Sequence, residues 1–260
     1  MEGNRQPRPS WELTSVRNAA RLLKEFSRTD RELGVSELAR RLGLATSTVH
    51  RMLATLAAER LLDRGTTAGS YRLGLAMFDL GAAVAPRLDL HEAALPVMAV
   101  LRQTTGETVQ LAVLDGLESV YVDRLESPHT VRIFSRVGTR LPATTTATGK
   151  ALLAALSPTE LDARLDGWRP QRPTPYSIVD VEVLRARLRE IGERGWAENR
   201  EESRVGVVSC AAPVRGGDGV VLAALSVAAP TARAAPAALQ RIREAVVEAA
   251  AVLSRRLGHA

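Results

Sequence analysis

The clearest chemistry in the chain sits in six consecutive positions. Thr46, Ser47, Thr48, His50 and Arg51 crowd three hydroxyls, an imidazole and a guanidinium together. Hydroxyls and guanidinium groups hydrogen-bond phosphate oxygens and base edges, and an arginine can grip guanine through two parallel bonds. Val49, Met52, Leu53 and Leu56 recur through the same stretch at helical spacing. A helix from Ala45 or Thr46 to about Arg60 therefore buries one face and leaves Ser47, Arg51 and Thr55 opposite. Its first turn offers unpaired backbone N–H groups and a positive dipole end to an anion.

The elements that position this helix are legible on either side. Val35 to Leu42 reads as a short helix capped by Ser36, with Leu38, Ala39 and Leu42 on one face. Gly43 stands where a turn needs positive φ, and Leu44 packs back. Two short helices and a tight turn, VSELARRLGLATSTVHRMLATLAAE, are how a chain places a helix in the major groove of double-stranded DNA. A first helix, capped by Thr14 or Ser15, runs to about Ser27. After the pair, LLDRGTTAGSYRLG reads as a β-hairpin wing, whose Arg64 and Arg72 suit contacts to the DNA backbone or minor groove.

Other constellations fail on inspection. Ala147-Thr148-Gly149-Lys150 has part of a phosphate-loop pattern, but Thr144 stands in place of the first glycine and Ala151 in place of the magnesium-binding hydroxyl. No Gly-x-Ser-x-Gly elbow is present. Glu201-Glu202 reads as a solvated turn rather than an acid/base pair. Cys210, the one cysteine, lies in an apolar run and reads as a small core residue. One cysteine excludes an internal disulfide framework, and the four histidines lack ligand spacing, so no metal site and no cofactor is expected.

Charge supports the same partner. Of the net +6, residues 1–75 account for +5, with 13 Lys and Arg against 8 Asp and Glu. A basic first third on a neutral body suits a polyanion. Aromatic residues make up 3% of the chain, too few for a base-stacking surface. No apolar run reaches the roughly 20 residues that span a bilayer, and the first ten residues lack the apolar core of a signal peptide. The expectation is a cytoplasmic protein with no membrane partner.

Beyond the wing, Leu75 to Leu88 and Asp89 to Thr105 read as helices, with Pro96 kinking or restarting the second. The period then becomes two. Thr108 to Val113 and Ser119 to Leu125 form a hairpin about Asp115-Gly116, and Val131, Ile133 and Val137 suggest a third strand. Helices are expected from Ala147 to Leu156, from Ser157-Pro158, from Asp180 to Gly195 and from Pro236. The apolar runs Val205–Val214 and Val220–Ala228, joined through Gly216-Gly217-Asp218-Gly219, read as a buried hairpin. The fold class is α+β, with a mainly antiparallel sheet flanked by helices.

Taken together, these pieces resemble the IclR family of bacterial transcription regulators over nearly all of residues 11–257. The resemblance rests on VSELARRLGLATSTVHRMLATL, SYRLG, LRQTTGETVQLAVLDG, RVGTRLPATTTATGKALLAAL, the EE…GVVSCAAPV run and AALSVAAP, in that order. It implies an arm (1–10), a winged helix-turn-helix domain (11–74), a linker helix (75–89) and a GAF-like effector-binding domain (90–260). It also implies homodimers that pair into tetramers, a palindrome-like operator and a small-molecule effector, commonly an organic acid. The family's effector cavity transfers to Thr130, Leu141, Ala147, Thr148, Asn199, Ser209, Ser226 and Ala228. Thr146 adds a hydroxyl beside a helix start that could hold a carboxylate. Three positions depart from the family pattern: Asn199 replaces an acid, Ser209 a cysteine and Ala228 a serine. These departures suggest a larger or more apolar acid. Two other readings stay open on the residues alone: an architectural DNA binder with no ligand, and an enzyme built on the second domain.

Overall fold

The computed structural model describes residues 13–26, 32–84, 89–133 and 136–259. The expected arm, residues 1–10, lies outside them. The chain divides into two compact units, Met1–Arg87 and Leu88–Ala260.

The first unit holds α1 (Thr14–Glu25), β1 (Leu33–Gly34), α2 (Val35–Leu42), α3 (Thr46–Ala58), β2 (Leu62–Arg64), β3 (Ser70–Leu73) and α4 (Ala76–Val84). Leu22, Leu38, Val49, Leu53, Leu62 and Tyr71 are fully buried and tie the three helices to the hairpin. Gly43 closes α2 in the left-handed conformation at φ 67°, and Leu44 N–H returns to Ala39 O at 3.1 Å. A side chain beyond glycine strains that conformation, so the turn of the helix pair is fixed locally. The hairpin gains a third strand: β1 pairs with β3 antiparallel, Leu33 opposite Tyr71, giving the order β1-β3-β2.

Two expected caps are not caps. Gly34 is the N-cap of α2, which puts Ser36 inside the first turn, and Leu13 rather than Thr14 or Ser15 precedes α1. In both cases the hydroxyl sits on a residue already in helical conformation, without the extended N-cap backbone from which a side chain reaches a first-turn N–H.

The second unit begins, among the described residues, with α5 (Asp89–Thr105), which runs through Pro96 without restarting. It continues with β4 (Thr108–Asp115), β5 (Glu118–Leu125), β6 (Arg140–Pro142), α6 (Ala147–Leu153), α7 (Pro158–Leu165) and α8 (Val181–Arg194). β7 (Ala197–Arg200), β8 (Val207–Arg215), β9 (Val221–Pro230) and α9 (Pro236–Arg256) complete it. The six strands form one antiparallel sheet, β6-β5-β4-β9-β8-β7. The third strand is not the one expected. Residues 131–133 and 136–139 are bend, turn or irregular, and residues 134–135 lie outside the described ones. Val131 and Val137 are 68% and 61% exposed, so the apolar alternation there has no sheet face to bury against.

Helices cover both faces of the sheet. α5 and α9 pack Met98, Leu101, Val246 and Leu253 on Val109, Leu111, Leu225 and Val227. On the other face α6 and α8 bring Ala147, Leu153, Leu184 and Ile191 against Ala197, Ala211 and Ala224, small residues that let a helix approach closely.

Candidate DNA interface and effector site

Thr46, Ser47, Thr48, His50 and Arg51 are all exposed on α3, opposite the buried Val49, Leu53 and Leu56. Ala45 precedes the helix and no side chain caps it, so its first-turn amides face outward unclaimed by a side chain. Thr55 Oγ1 donates back to Arg51 O at 2.9 Å, which uses that hydroxyl within the helix. Arg51 also borders a groove of about 440 Å³ between α1 and α3, with Ser15, Val16, Ala19 and Met52 on its walls. The α2 arginines turn elsewhere: Arg40 and Arg41 reach Glu37 at 2.7 and 2.6 Å. In the wing both Arg64 and Arg72 are exposed, and the Arg64 guanidinium stacks 4.9 Å from the centre of the Tyr71 ring. Ser36 is exposed on the first turn of α2.

The residues expected to bind an effector divide unequally. Four of them fall on or beside one line across the sheet, on its α6 face. Asn199 stands opposite Ser209, Ser209 opposite Ala228, and Ala228 opposite Thr108. One step along, Ser226 stands opposite Gln110 and donates to its carbonyl at 3.4 Å. Asn199, Ser226, Ala228, Thr108 and Gln110 are buried, and Ser209 is half-buried. Asn199 Nδ2 donates to Ser203 Oγ and Ser209 Oγ at 3.2 and 3.4 Å, while its Oδ1 accepts from Glu202 N at 2.8 Å.

Above this row, Thr146 is the N-cap of α6, its Oγ1 accepting from Gly149 N at 3.0 Å. That hydroxyl caps the helix as an acceptor, and its O–H remains a donor. Thr148 Oγ1 lies 2.8 Å from Ser119 Oγ, both buried. Tyr121 joins them: burial raises its hydroxyl pKa, and a hydrogen bond from Thr148 opposes the rise. Leu141 lies half-buried on β6 opposite Ser119. Thr130 does not join the group. It sits exposed in a bend after β5, not on a strand, because the chain leaves the sheet at Leu125.

Thr108, Gln110, Ser119 and Tyr121 escaped sequence reasoning. On an antiparallel strand with one covered face, Gln110 would point to water; here the second helical layer buries it. The register with Ser226 and Ala228 was the missing signal. The Gly149-Lys150 pair also has a structural explanation. A Cβ on Gly149 would lie 2.2 Å from Ala143 Cα, and Lys150, 1% exposed, reaches Glu202 at 2.5 Å. Desolvation lowers the Lys150 pKa, and the Glu202 charge partly restores it. Among the described residues no group of three or more metal-ligating side chains comes together, and no helix is long and apolar enough to cross a membrane.

An exposed polar helix on a winged module, followed by a two-faced α+β domain with a buried polar row, defines a ligand-responsive transcription regulator. The IclR helix-turn-helix domain model matches residues 15–65, and the bacterial transcriptional regulator IclR C-terminal model matches residues 82–255. The chain belongs to the IclR family. It is 35% identical to the HTH-type transcriptional regulator XynR of Escherichia coli K12 over 247 residues, covering 95% of this chain and 98% of XynR. It is 34% identical to KdgR of the same strain over 230 residues, 88% of each chain. Among solved structures, an IclR homolog from Microbacterium hydrocarbonoxydans complexed with 4-hydroxybenzoate is 30% identical, with a TM-score of 0.82, covering 94% of this chain and 99% of that one.

Proposed function

We propose that α3 reads the major groove of a palindrome-like operator. Thr46, Ser47 and Thr48 meet phosphate or base edges, Arg51 is the main base contact, and Arg64 and Arg72 of the wing hold the backbone. The carrying observation is the exposed start of α3, five polar side chains in its first two turns and no side-chain cap. Two copies placed about one helical turn apart would satisfy a two-fold operator. Phe78 and Leu80 of α4, 70% and 56% exposed, favour a dimer, and a dimer of dimers is its natural extension. The relatives' names as regulators favour a non-enzymatic role, and a cytoplasmic location follows from that role.

The effector is an organic acid held between the start of α6 and the buried polar row. The 4-hydroxybenzoate complexed with the Microbacterium hydrocarbonoxydans relative carries a carboxylate, which supports the class. Ala228 removes one hydroxyl, but Ser209 and Thr108 flank it, so the case for a more apolar acid weakens. Binding shifts the population of inter-domain arrangements by as much as affinity differs between them.

Arg51→Ala tests the reading. Loss of a bidentate base contact costs roughly 1–3 kcal/mol on a duplex selected by the wild-type protein and little on random DNA. Equal weakening on both duplexes would reduce Arg51 to a phosphate contact.

A further inference from the structure

The wing turn is fastened by a residue 34 positions earlier in the chain. Glu32 accepts hydrogen bonds from Thr66 N at 3.0 Å, Thr66 Oγ1 at 3.1 Å and Ser70 Oγ at 2.9 Å. The next two residues, Leu33 and Gly34, pair with Tyr71 and Ser70. Carboxylate and strand thus clamp both sides of the turn between β2 and β3. Gly65 makes room for the clamp. Its φ is not positive, yet a Cβ there would lie 2.1 Å from Ser70 Oγ and 2.5 Å from Glu32 Oε2. Glycine at 65 is required by the seat of the carboxylate, not by the backbone.

We propose that Glu32 is a positioning residue for DNA binding, which locks the wing turn so that Arg64 and Arg72 meet the phosphate backbone together. The proposal rests on the wing reading given above. Its sign is unusual. A carboxylate on a module that approaches phosphates repels them, so charge alone predicts that removing Glu32 tightens binding. Positioning predicts the reverse, because the arginines sit on strands whose connecting turn has lost its fastening. The bonds from Thr66 N–H and Ser70 hydroxyl also hold the Glu32 carboxyl below its ordinary pKa range, in keeping with a carboxylate that stays ionised in the clamp.

The full-length protein is titrated by fluorescence anisotropy against a duplex selected by the wild type and against a scrambled duplex, over a range of KCl concentrations. Glu32→Ala is expected to weaken the selected duplex about tenfold. The slope of log affinity against log salt is expected to flatten by about 0.9 for each phosphate contact released, at most two here. Tighter binding, or an unchanged slope, overturns the proposal. Gly65→Ala is expected to reproduce the loss, and the double variant to be no weaker than either single one; additive losses overturn it. Glu32→Gln, which keeps an acceptor for Thr66 N–H, is expected to recover part of the affinity. If Glu32→Ala lowers the melting temperature enough to unfold the module, Thr66→Val and Ser70→Ala each remove one hydroxyl bond of the same clamp in a folded chain, and wild-type slopes in Ser70→Ala overturn the proposal. Arg64→Ala with Arg72→Ala separates the two readings. An unchanged affinity there removes the wing from the interface and the proposal with it. A loss there beside a neutral Glu32→Ala removes the proposal alone.

Discussion

Ser209 and Cys210 are sequence neighbours that belong to opposite sides of a sheet. Ser209 faces the polar row, whereas Cys210 is packed with Val208, Ala212 and Val227 beneath α9. Burial pushes the Cys210 thiol up to about 12. A thiol whose folded pKa lies above the unfolded one favours folding below pH 9 and loses that contribution as pH rises towards 12. Iodoacetamide at pH 8 is therefore expected to label Cys210 only after denaturation, and the alkaline loss of stability to shrink in Cys210→Ala. Rapid labelling of the folded protein would place the thiol at the surface. This assignment was legible in the sequence, since strand alternation sends adjacent residues to opposite faces. The burial of Gln110 was not, because one strand does not reveal how many layers cover its sheet. Thr146 shows a related limit: sequence does not tell whether a hydroxyl at a helix start caps that helix, and the bond from Gly149 N shows that this one does.

At the scale of elements, α6 is held by contact rather than by propensity. Its seven residues are all buried, and Gly149 crosses the one-turn helix at Ala143–Thr145 with no space for a methyl group. The obstructing atoms are backbone, which cannot rotate aside. Gly149→Ala is expected to lower unfolding stability by about 2–3 kcal/mol in urea titrations, by overpacking. A neutral result would mean that α6 moves freely against that turn. α7, by contrast, announces itself in sequence. Ser157 and Glu160 form a capping box with Pro158 at the first position, all within four residues. The third sheet strand was misplaced because Val131, Ile133 and Val137 carry strand periodicity in a segment that leaves the sheet. Arg140–Pro142 pairs with β5 instead, and the Arg140 guanidinium reaches Glu118 at 2.7 Å and also Asp115.

Across the whole molecule, the order of elements and the helix pair were readable from period and punctuation, while the alignment of the buried polar row was not. The row and the hydroxyls beside it come from β4, β5, β7, β8, β9 and α6, segments spread over more than a hundred residues, and only register aligns Asn199 with Thr108. The proposed dimer is tested at this scale. Phe78→Asp replaces the most exposed of the described apolar side chains of α4 with a charge and is expected to lower the sedimenting mass towards one chain, with DNA affinity falling alongside. An unchanged mass would move the dimer contact to another surface.

The six-stranded sheet ends in β6, three residues closing on Pro142, and β7, four residues carrying Glu198 and Arg200, whose side chains are ion-paired to each other. Neither offers a long, flat rim on which a neighbour's backbone could add a strand. Short, charged or Pro-closed rims of this kind disfavour edge-to-edge strand addition, so the sheet is built to stay within one chain.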